Sequence, residues 1–319
     1  WPILLGSYLS AHLAKTSFRQ LAPSALFATS LCPIVTDMVF FQGLAFPLNI
    51  GAALIIGVLL GFITIPLSKA TASMHKGFNL YNVGLATGLV ATAYVAVLRS
   101  FGRNIATQLL WGTDHQRLVL IFLGLLLVVT LVFALGCRNT TWADYKKLHG
   151  LPNQGGVDAV SFVSEGTVFV NIFGLGLIGL IFILLAKGPF NGATLCGIMT
   201  VMAFGGNGKN TLNVLPILLG IYLGSLIKTW NISDPSILLV ALFGTSMAPL
   251  AQKYGPLAGV AAGFFLSSIS ISLTLLHGGA NLYNTGFSSG VTAMIMAPIC
   301  EYIQMVREMR WGKHRHAKG

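Results

Sequence analysis

Charged residues are scarce in this sequence. Asp, Glu, Lys and Arg make up 8% of its 319 residues, against about a quarter in a soluble globular domain. So little charge cannot cover a water-facing surface, which excludes a soluble protein. Hydrophobic residues account for 55%, and apolar runs long enough to cross a bilayer recur along the chain. The sequence predicts an all-α, polytopic transmembrane helix bundle of about ten segments.

Acidic residues are scarcer than basic ones, eight against 19, for a net charge of +11. The basic residues lie in short loops and in the C-terminal tail, which carries Arg307, Arg310, Lys313, Arg315 and Lys318. Basic segments beside apolar spans are typical of the cytoplasmic side of a membrane. We therefore expect the lipid bilayer and no nucleic acid as a partner. The predicted location is a bacterial plasma (inner) membrane, multi-pass, with the tail in the cytoplasm.

Signatures of metal sites and enzymes are absent. The four cysteines are isolated and form no CxxC pair, so we predict no disulfide framework and no metal site. The sequence also lacks HExxH, GxSxG and paired carboxylates at helical spacing. We expect no catalytic residues, and an intramembrane enzyme that uses His75 or His277 is a weak alternative.

An internal repeat is the clearest feature that is present. Residues 75–84 read HKGFNLYNVG and residues 277–286 read HGGANLYNTG, with seven of ten positions identical. Upstream, FATSLCP at 27–33 matches FGTSMAP at 243–249, and PILLGSYL at 2–9 matches PILLGIYL at 216–223. Chance does not place His, Tyr and two Asn at matching spacing, so we predict a duplication.

The repeat divides the chain into three parts. These are 1–110, the first repeat half; 111–164, a connecting helix and polar linker; and 165–319, the second half with its basic tail. The GGNGKNTLN stretch at 205–213 has no partner after Trp1, so we expect the front of the first half to be missing. Segments 24–45 and 189–204 are short or interrupted and are candidate re-entrant or broken helices. Depending on whether these two cross, the repeats are inverted or parallel, and the sequence favours inverted.

The duplicated motif predicts two helix faces. On a helix at 100° per residue, His75, Asn79 and Asn82 share one face. The opposite face carries the small or aromatic residues Gly77, Tyr81, Gly84 and Gly88. We predict that the polar face contacts a solute and that the small face packs against a neighbouring helix. Hydrogen bonding between helices, without a solute, is the alternative for the polar face.

The predicted substrate-binding residues are the polar members of the duplicated segments: Asn79, Asn82, Asn281, Asn284, His75, His277, Tyr81, Tyr283, Thr29, Ser30, Thr245 and Ser246. Pro33 and Pro249 each free a carbonyl, and we expect the Thr and Ser residues to satisfy it or to coordinate a cation; a simple proline kink is the alternative.

A weaker anion-binding site is predicted at Gly206, Gly208 and Lys209, because these residues lie just before a helix and amides at a helix start bind anions. The alternative is a membrane-edge loop with a snorkelling lysine.

The HxGxNLYNxG segments at His75–Gly84 and His277–Gly286 resemble those of a family of bacterial polytopic membrane proteins known as a domain of unknown function. The resemblance covers most of the chain and implies no substrate. The plan of two halves with candidate re-entrant segments is also similar to bacterial urea channels. That similarity is architectural, because their Asn-Pro-Leu-Thr-Gly signature is absent.

Duplicated membrane bundles are typical of transporters and channels, with the pathway at the repeat interface. We therefore predict a permeation protein, a secondary transporter for a small polar solute, with its pathway between the two halves. No cofactor is expected, and Na⁺ or H⁺ as coupling ion and a homo-oligomeric state are left open. The alternatives are a passive channel for a small neutral solute of urea type, an intramembrane enzyme and a membrane scaffold. Lys209 is the one argument for an anionic solute.

Overall fold

The computed structural model describes residues 1–41, 43–105, 110–137 and 139–316, with side chains up to residue 310. Lys318 of the predicted basic tail, and the side chains of Lys313 and Arg315, lie outside this description. The described residues form fourteen α-helices and no strand. The helices are α1 (Pro2–Leu13), α2 (Phe18–Ala28), α3 (Cys32–Val39), α4 (Phe46–Met74), α5 (Asn82–Ser100), α6 (Gln116–Gly136), α7 (Trp142–Gly150), α8 (Glu165–Leu185), α9 (Gly192–Ala203), α10 (Thr211–Ile227), α11 (Pro235–Gly244), α12 (Ala248–Tyr254), α13 (Pro256–His277) and α14 (Asn284–His316).

These helices confirm the predicted fold class. Eight helical segments of the described chain are long and apolar enough to cross a membrane, and two shorter apolar helices, Gly192–Gly206 and Thr211–Ile227, accompany them. Two of the eight segments, Phe18–Val39 and Pro235–Tyr254, are each built from two helices in sequence, α2 with α3 and α11 with α12. The chain is therefore a polytopic, all-helical membrane protein.

Two helices begin at asparagine capping boxes. Asn191 Oδ1 accepts from the amides of Ala193 and Thr194 at the start of α9, and in return the Asn191 amide donates to Thr194 Oγ1 at 2.9 Å. Asn210 caps α10 in the same way, through the amides of Leu212 and Asn213. Such boxes satisfy backbone donors that the first helical turn leaves without a partner. They fix where each short helix starts.

The two composite spans break at the same place in both repeats. A 3₁₀ turn at Thr29–Leu31 separates α2 from α3, and another at Thr245–Met247 separates α11 from α12. Pro33 and Pro249 follow the two turns. A proline has no N–H to donate to the carbonyl four residues earlier, so the regular helix is interrupted there. Both spans therefore change helix type at an equivalent position, next to their prolines.

Glycines bring helices into close contact in both repeats. A Cβ built on Gly6 of α1 would lie 1.9 Å from the Val58 carbonyl oxygen in α4, and one on Gly220 of α10 would lie 2.0 Å from that of Val260 in α13. These pairs occupy equivalent positions of the duplicated sequence. The same backbone approach therefore occurs twice, as expected for a structural duplication.

The described chain packs as two compact units. Unit 1 comprises Trp1–Met74, Tyr81–Leu110 and Ser268–Gly290; unit 2 comprises His75–Leu80, Trp111–Ser267 and Val291–Gly319. The core of unit 1 includes Ile3, Leu31 and Leu60, and that of unit 2 includes Ile183 and Leu242. The units do not coincide with the repeats. Each contains the broken span of one repeat and the motif loop of the other.

The polar linker folds into unit 2 through α7 and the residues after it. Tyr145 Oη and His149 Nε2 of α7 lie 3.1 and 3.0 Å from Thr211 Oγ1 at the start of α10. Beyond α7, the Asn153 side chain donates to the Gly208 carbonyl at 2.6 Å. Buried Leu148, Leu151, Ala159, Val163 and Val168 form a small apolar core beneath it. The linker is thus a packed part of the unit.

Candidate functional site

The duplicated motif is a helix–loop–helix connection. In the first copy α4 ends at Met74 and α5 begins at Asn82; in the second α13 ends at His277 and α14 begins at Asn284. The prediction of one continuous helix with a polar face is therefore wrong. Lys76, Gly77, Gly278 and Gly279 have φ between +52° and +83°. That left-handed backbone cannot continue an α-helix, and it turns both loops in the same way.

Each motif loop lies against the broken span of the other repeat. The Leu80 amide donates to the Ser246 carbonyl at 2.9 Å, and the Leu282 amide donates to the Ser30 carbonyl at 2.9 Å. We call Thr29–Leu31 with residues 277–282 the first junction, in unit 1. The second junction, in unit 2, is Thr245–Met247 with residues 75–80. Each motif loop thus satisfies a carbonyl at the break of a helix, where regular helical bonding is interrupted.

The second junction contains buried polar side chains and Lys209, the lysine of the glycine-rich loop at residues 205–210. Thr245 and Ser246 are fully buried, and His75 and Asn79 are 1% and 2% exposed. Lys209 is 1% exposed, and its Nζ donates to Thr245 Oγ1 at 2.8 Å. The alternative of a snorkelling Lys209 is therefore wrong. The same Nζ lies 5.3 Å from the centre of the Phe204 ring, within the range of a cation–π contact.

Side-chain amides hold the glycine-rich loop around Lys209. Asn171 Nδ2, from the middle of α8, donates to the carbonyls of Gly205 and Lys209 at 2.9 and 2.8 Å. Gly208, with φ of +114°, accepts at its carbonyl from Asn213 Nδ2 at 3.0 Å as well as from Asn153. These bonds fix the loop from three sides. They place the Lys209 side chain against the break in α11–α12.

The helix start after this loop is already capped. Asn210 Oδ1 accepts from the amides of Leu212 and Asn213 at 3.0 and 2.9 Å. The predicted anion site at Gly206, Gly208 and Lys209 cannot use those two amides. An anion at this loop would need other donors, of which the Lys209 side chain is one.

The first junction contains buried polar atoms without a hydrogen-bond partner among the described residues. They are Ser30 Oγ, Asn281 Nδ2 and His277 Nδ1. Asn281 Oδ1 accepts from the Tyr283 amide at 3.1 Å. This bond within the motif loop orients the Asn281 side chain. The Tyr283 ring stacks on Phe27 at 5.4 Å and meets Tyr81 at 5.5 Å. The second junction has one such atom, Ser246 Oγ.

The second asparagine of each motif bonds to the helix before it. Asn284 Nδ2 donates to the Ser270 carbonyl at 3.1 Å and to Ser270 Oγ at 2.9 Å, and Asn284 Oδ1 lies 2.9 Å from His277 Nε2. Asn82 Nδ2 donates to the Ser68 carbonyl, and Thr71 Oγ1 donates to Asn82 Oδ1 at 2.9 Å. Both side chains hold a helical hairpin closed. This geometry matches the packing alternative for the two residues.

The small residues of the motif bring α5 and α14 together within unit 1. A Cβ on Gly84 would lie 2.5 Å from the Gly286 Cα, and one on Gly88 would meet the Phe287 side chain at 2.1 Å. Reciprocally, a Cβ on Gly290 would meet Leu85 at 2.7 Å. The expectation that Gly84 and Gly88 admit a neighbouring helix is confirmed, and the neighbour is the second copy of the same helix.

The predicted site residues are divided between the units. Unit 1 holds Thr29, Ser30, Tyr81, Asn82, His277, Asn281, Tyr283 and Asn284. Unit 2 holds His75, Asn79, Gly206, Gly208, Lys209, Thr245 and Ser246. The sequence did not predict a role for Asn171 or Gln252. Asn171 holds the glycine-rich loop through the Gly205 carbonyl. Gln252 Oε1 holds the start of α10, because it accepts from the side chains of Asn210 and Asn213. A lone asparagine within the apolar α8 was the available signal.

The helices, the repeat and the two junctions together define a duplicated, polytopic helical membrane protein. A family model described as "Protein of unknown function (DUF1576)" matches residues 1–100 and 137–302. The chain belongs to this family. No curated protein and no solved structure matches it.

Proposed function

We propose that the protein is a secondary transporter for a small polar solute, and that the solute binds at the junctions between broken spans and motif loops. The observation that carries the proposal is the reciprocal pairing of Leu80 with Ser246 and of Leu282 with Ser30. Broken helices in duplicated halves are how many transporters expose backbone and polar groups to a solute at membrane depth.

Buried polar groups support the proposal. Ser30 Oγ, Ser246 Oγ and Asn281 Nδ2 are buried and have no hydrogen-bond partner in the described chain. A buried polar group without a partner costs about 1–3 kcal/mol, so such groups are rare unless another molecule satisfies them. A small solute with donors and acceptors is the partner that we propose. The coupling ion, Na⁺ or H⁺, and a bacterial inner-membrane location with a cytoplasmic tail belong to the same proposal.

The test is uptake into proteoliposomes by the purified protein. Labelled neutral, zwitterionic and anionic solutes are supplied with a Na⁺ gradient, a proton gradient or neither. We expect saturable uptake of one solute class that depends on one gradient. Uptake equal to that of protein-free liposomes for the whole panel would contradict permeation. Fast, non-saturating flux that ignores both gradients would instead favour the passive channel.

The variant Ser246→Ala tests whether the transported solute binds at the second junction. Because Ser246 Oγ makes no hydrogen bond with described residues, its removal should leave the melting temperature unchanged. Loss of one hydrogen bond to the solute should weaken uptake about five- to tenfold. Ser236→Ala, an exposed serine at the start of α11, is the matched control and should change neither quantity. Normal uptake by Ser246→Ala would remove the second junction from the solute path.

A further inference from the structure

Lys209 stands apart from every other charged residue of the described chain. It is the one Asp, Glu, Lys or Arg whose side chain is buried there, at 1% exposure. All eight acidic residues lie within the described part, and none of them is buried. Burial lowers the pKa of the Lys209 amine well below its usual value, and an anion beside the amine would favour its charged form. Burial of an ammonium group is costly unless polar or negative groups surround it.

The Thr245 hydroxyl contacts this amine, and the next residue, Ser246, belongs to the same 3₁₀ turn. Thr245 Oγ1 accepts from Lys209 Nζ at 2.8 Å and itself donates to the Leu242 carbonyl at 2.6 Å. Ser246, the next residue, is fully buried, and its Oγ has no partner in the described chain. A serine hydroxyl can donate one hydrogen bond. An ammonium group and a neighbouring hydroxyl together match the two oxygens of a carboxylate.

We propose that the second junction binds a small monovalent carboxylate, with one oxygen on Lys209 Nζ and the other on Ser246 Oγ. This inference deepens the proposed transport function and rests on it. A cationic solute does not fit, because no acidic side chain of the described chain is buried to attract it. The small cavity beside Lys209, of about 10 Å³, is lined by loop and linker residues such as Gly208 and Asn153, and Ser246 is not among them. A carboxylate that bridges Lys209 and Ser246 therefore has to displace side chains at the junction, which disfavours all but the smallest carboxylates.

The experiment measures the melting temperature of the purified, full-length chain in detergent. The ligands are acetate, its neutral analogue acetamide, and nitrate as an inorganic anion, all at constant ionic strength. A ligand that binds the folded state raises its stability by mass action. We expect a concentration-dependent rise with acetate and none with acetamide. An equal rise with acetamide, or a rise with nitrate alone, would overturn the carboxylate assignment.

Variants locate the effect. Lys209→Met replaces the amine by an apolar side chain of similar length and should abolish the rise with acetate. Lys147→Met, at an exposed lysine of α7 in the same unit, is the matched control and should keep it. Ser246→Ala loses no described hydrogen bond, so it should fold normally and bind acetate about five- to tenfold more weakly. A full acetate response in Lys209→Met, or in Ser246→Ala if Lys209→Met does not fold, would overturn the site.

These assays test the carboxylate site and the transport function independently. A Lys209-dependent acetate response without any uptake would retain the carboxylate site and reject the transport function. Uptake of a neutral solute, with no acetate response, would retain transport and reject the carboxylate assignment.

Discussion

Asn284 makes three side-chain contacts with the helix that precedes it, two to Ser270 and one to His277. Asn284→Ala leaves the Ser270 carbonyl and the His277 ring without these bonds. We expect a loss of about 1–2 kcal/mol in the free energy of unfolding, the range found for interhelical side-chain bonds in membranes and for buried hydrogen bonds. Thermal unfolding in detergent measures it.

Ser272→Ala is the control for this residue-scale prediction. Ser272 is exposed on the same helix, and its hydroxyl makes one long bond, 3.5 Å, to the Ser268 carbonyl. Its removal should change the stability by less than about 0.5 kcal/mol. If both variants melt at the wild-type temperature, the hairpin is held by backbone packing instead, and Asn284 becomes available to a solute.

For Lys209, the sequence predicted the kind of ligand but not the burial of the side chain. The sequence places it before a helix and beside glycines, which suggested anion recognition. It could not show that Asn171 and Asn153, from distant segments, fix the loop and turn the side chain inward. Burial of a charged residue depends on these long-range contacts, and its local sequence fits a membrane-edge loop equally well.

At the scale of helices, the α1–α4 contact depends on two glycines. A Cβ on Gly61 of α4 would lie 1.9 Å from the Ile3 carbonyl oxygen in α1. Backbone atoms cannot yield by a small rotation, so Gly61→Ala has to push the helices apart. We expect a loss of about 2–3 kcal/mol in the free energy of unfolding, measured by thermal unfolding in detergent.

Gly51 supplies the matched substitution in the same helix. A Cβ at this position would meet nothing within 4 Å. Gly51→Ala should be neutral or stabilise the protein by about 0.5–1 kcal/mol, because alanine is the better helix former. Equal effects of the two substitutions would mean that the close approach of α1 and α4 does not limit stability.

The long helices could be predicted from their apolar runs, whereas the helical spacing of polar residues in the motif loops was misleading. Long apolar runs predicted the spans. Of the two segments expected to be short or broken, 24–45 is interrupted at Thr29–Leu31, whereas 189–204 contains the single helix α9 and the second interruption lies at Thr245–Met247. The HxGxNLYNxG segment misled, because its polar residues recur at a helical interval although residues 76–81 form a loop. The lysine–glycine and glycine–glycine pairs at 76–77 and 278–279 were the local signal for a turn, since glycine tolerates positive φ.

At the scale of the whole molecule, the orientation of the repeats stays a prediction. If the repeats are inverted, the segments that follow α5 and α14 lie on opposite sides of the membrane. The side of the membrane can be measured with single cysteines introduced at Asp114 or Gly312. The native cysteines Cys32, Cys137, Cys196 and Cys300 are first replaced. We expect a membrane-impermeant maleimide to label the two positions from opposite sides of sealed vesicles.

Labelling of both positions from the same side would instead establish parallel repeats. Detergent-solubilised protein is the control, because both cysteines should then react. The sequence cannot decide this point, since the count of crossings depends on whether the short α9 and the broken α2–α3 segment cross completely. Helix length and composition alone do not distinguish a short span from a re-entrant one.

The contacts of the motif loops also decide whether each half can fold alone. The first half supplies the loop at the second break, and the second half supplies the loop at the first break. Neither half therefore forms either junction by itself. Co-expression of residues 1–164 and 165–319 as separate chains should therefore rebuild the protein, whereas either piece alone should not.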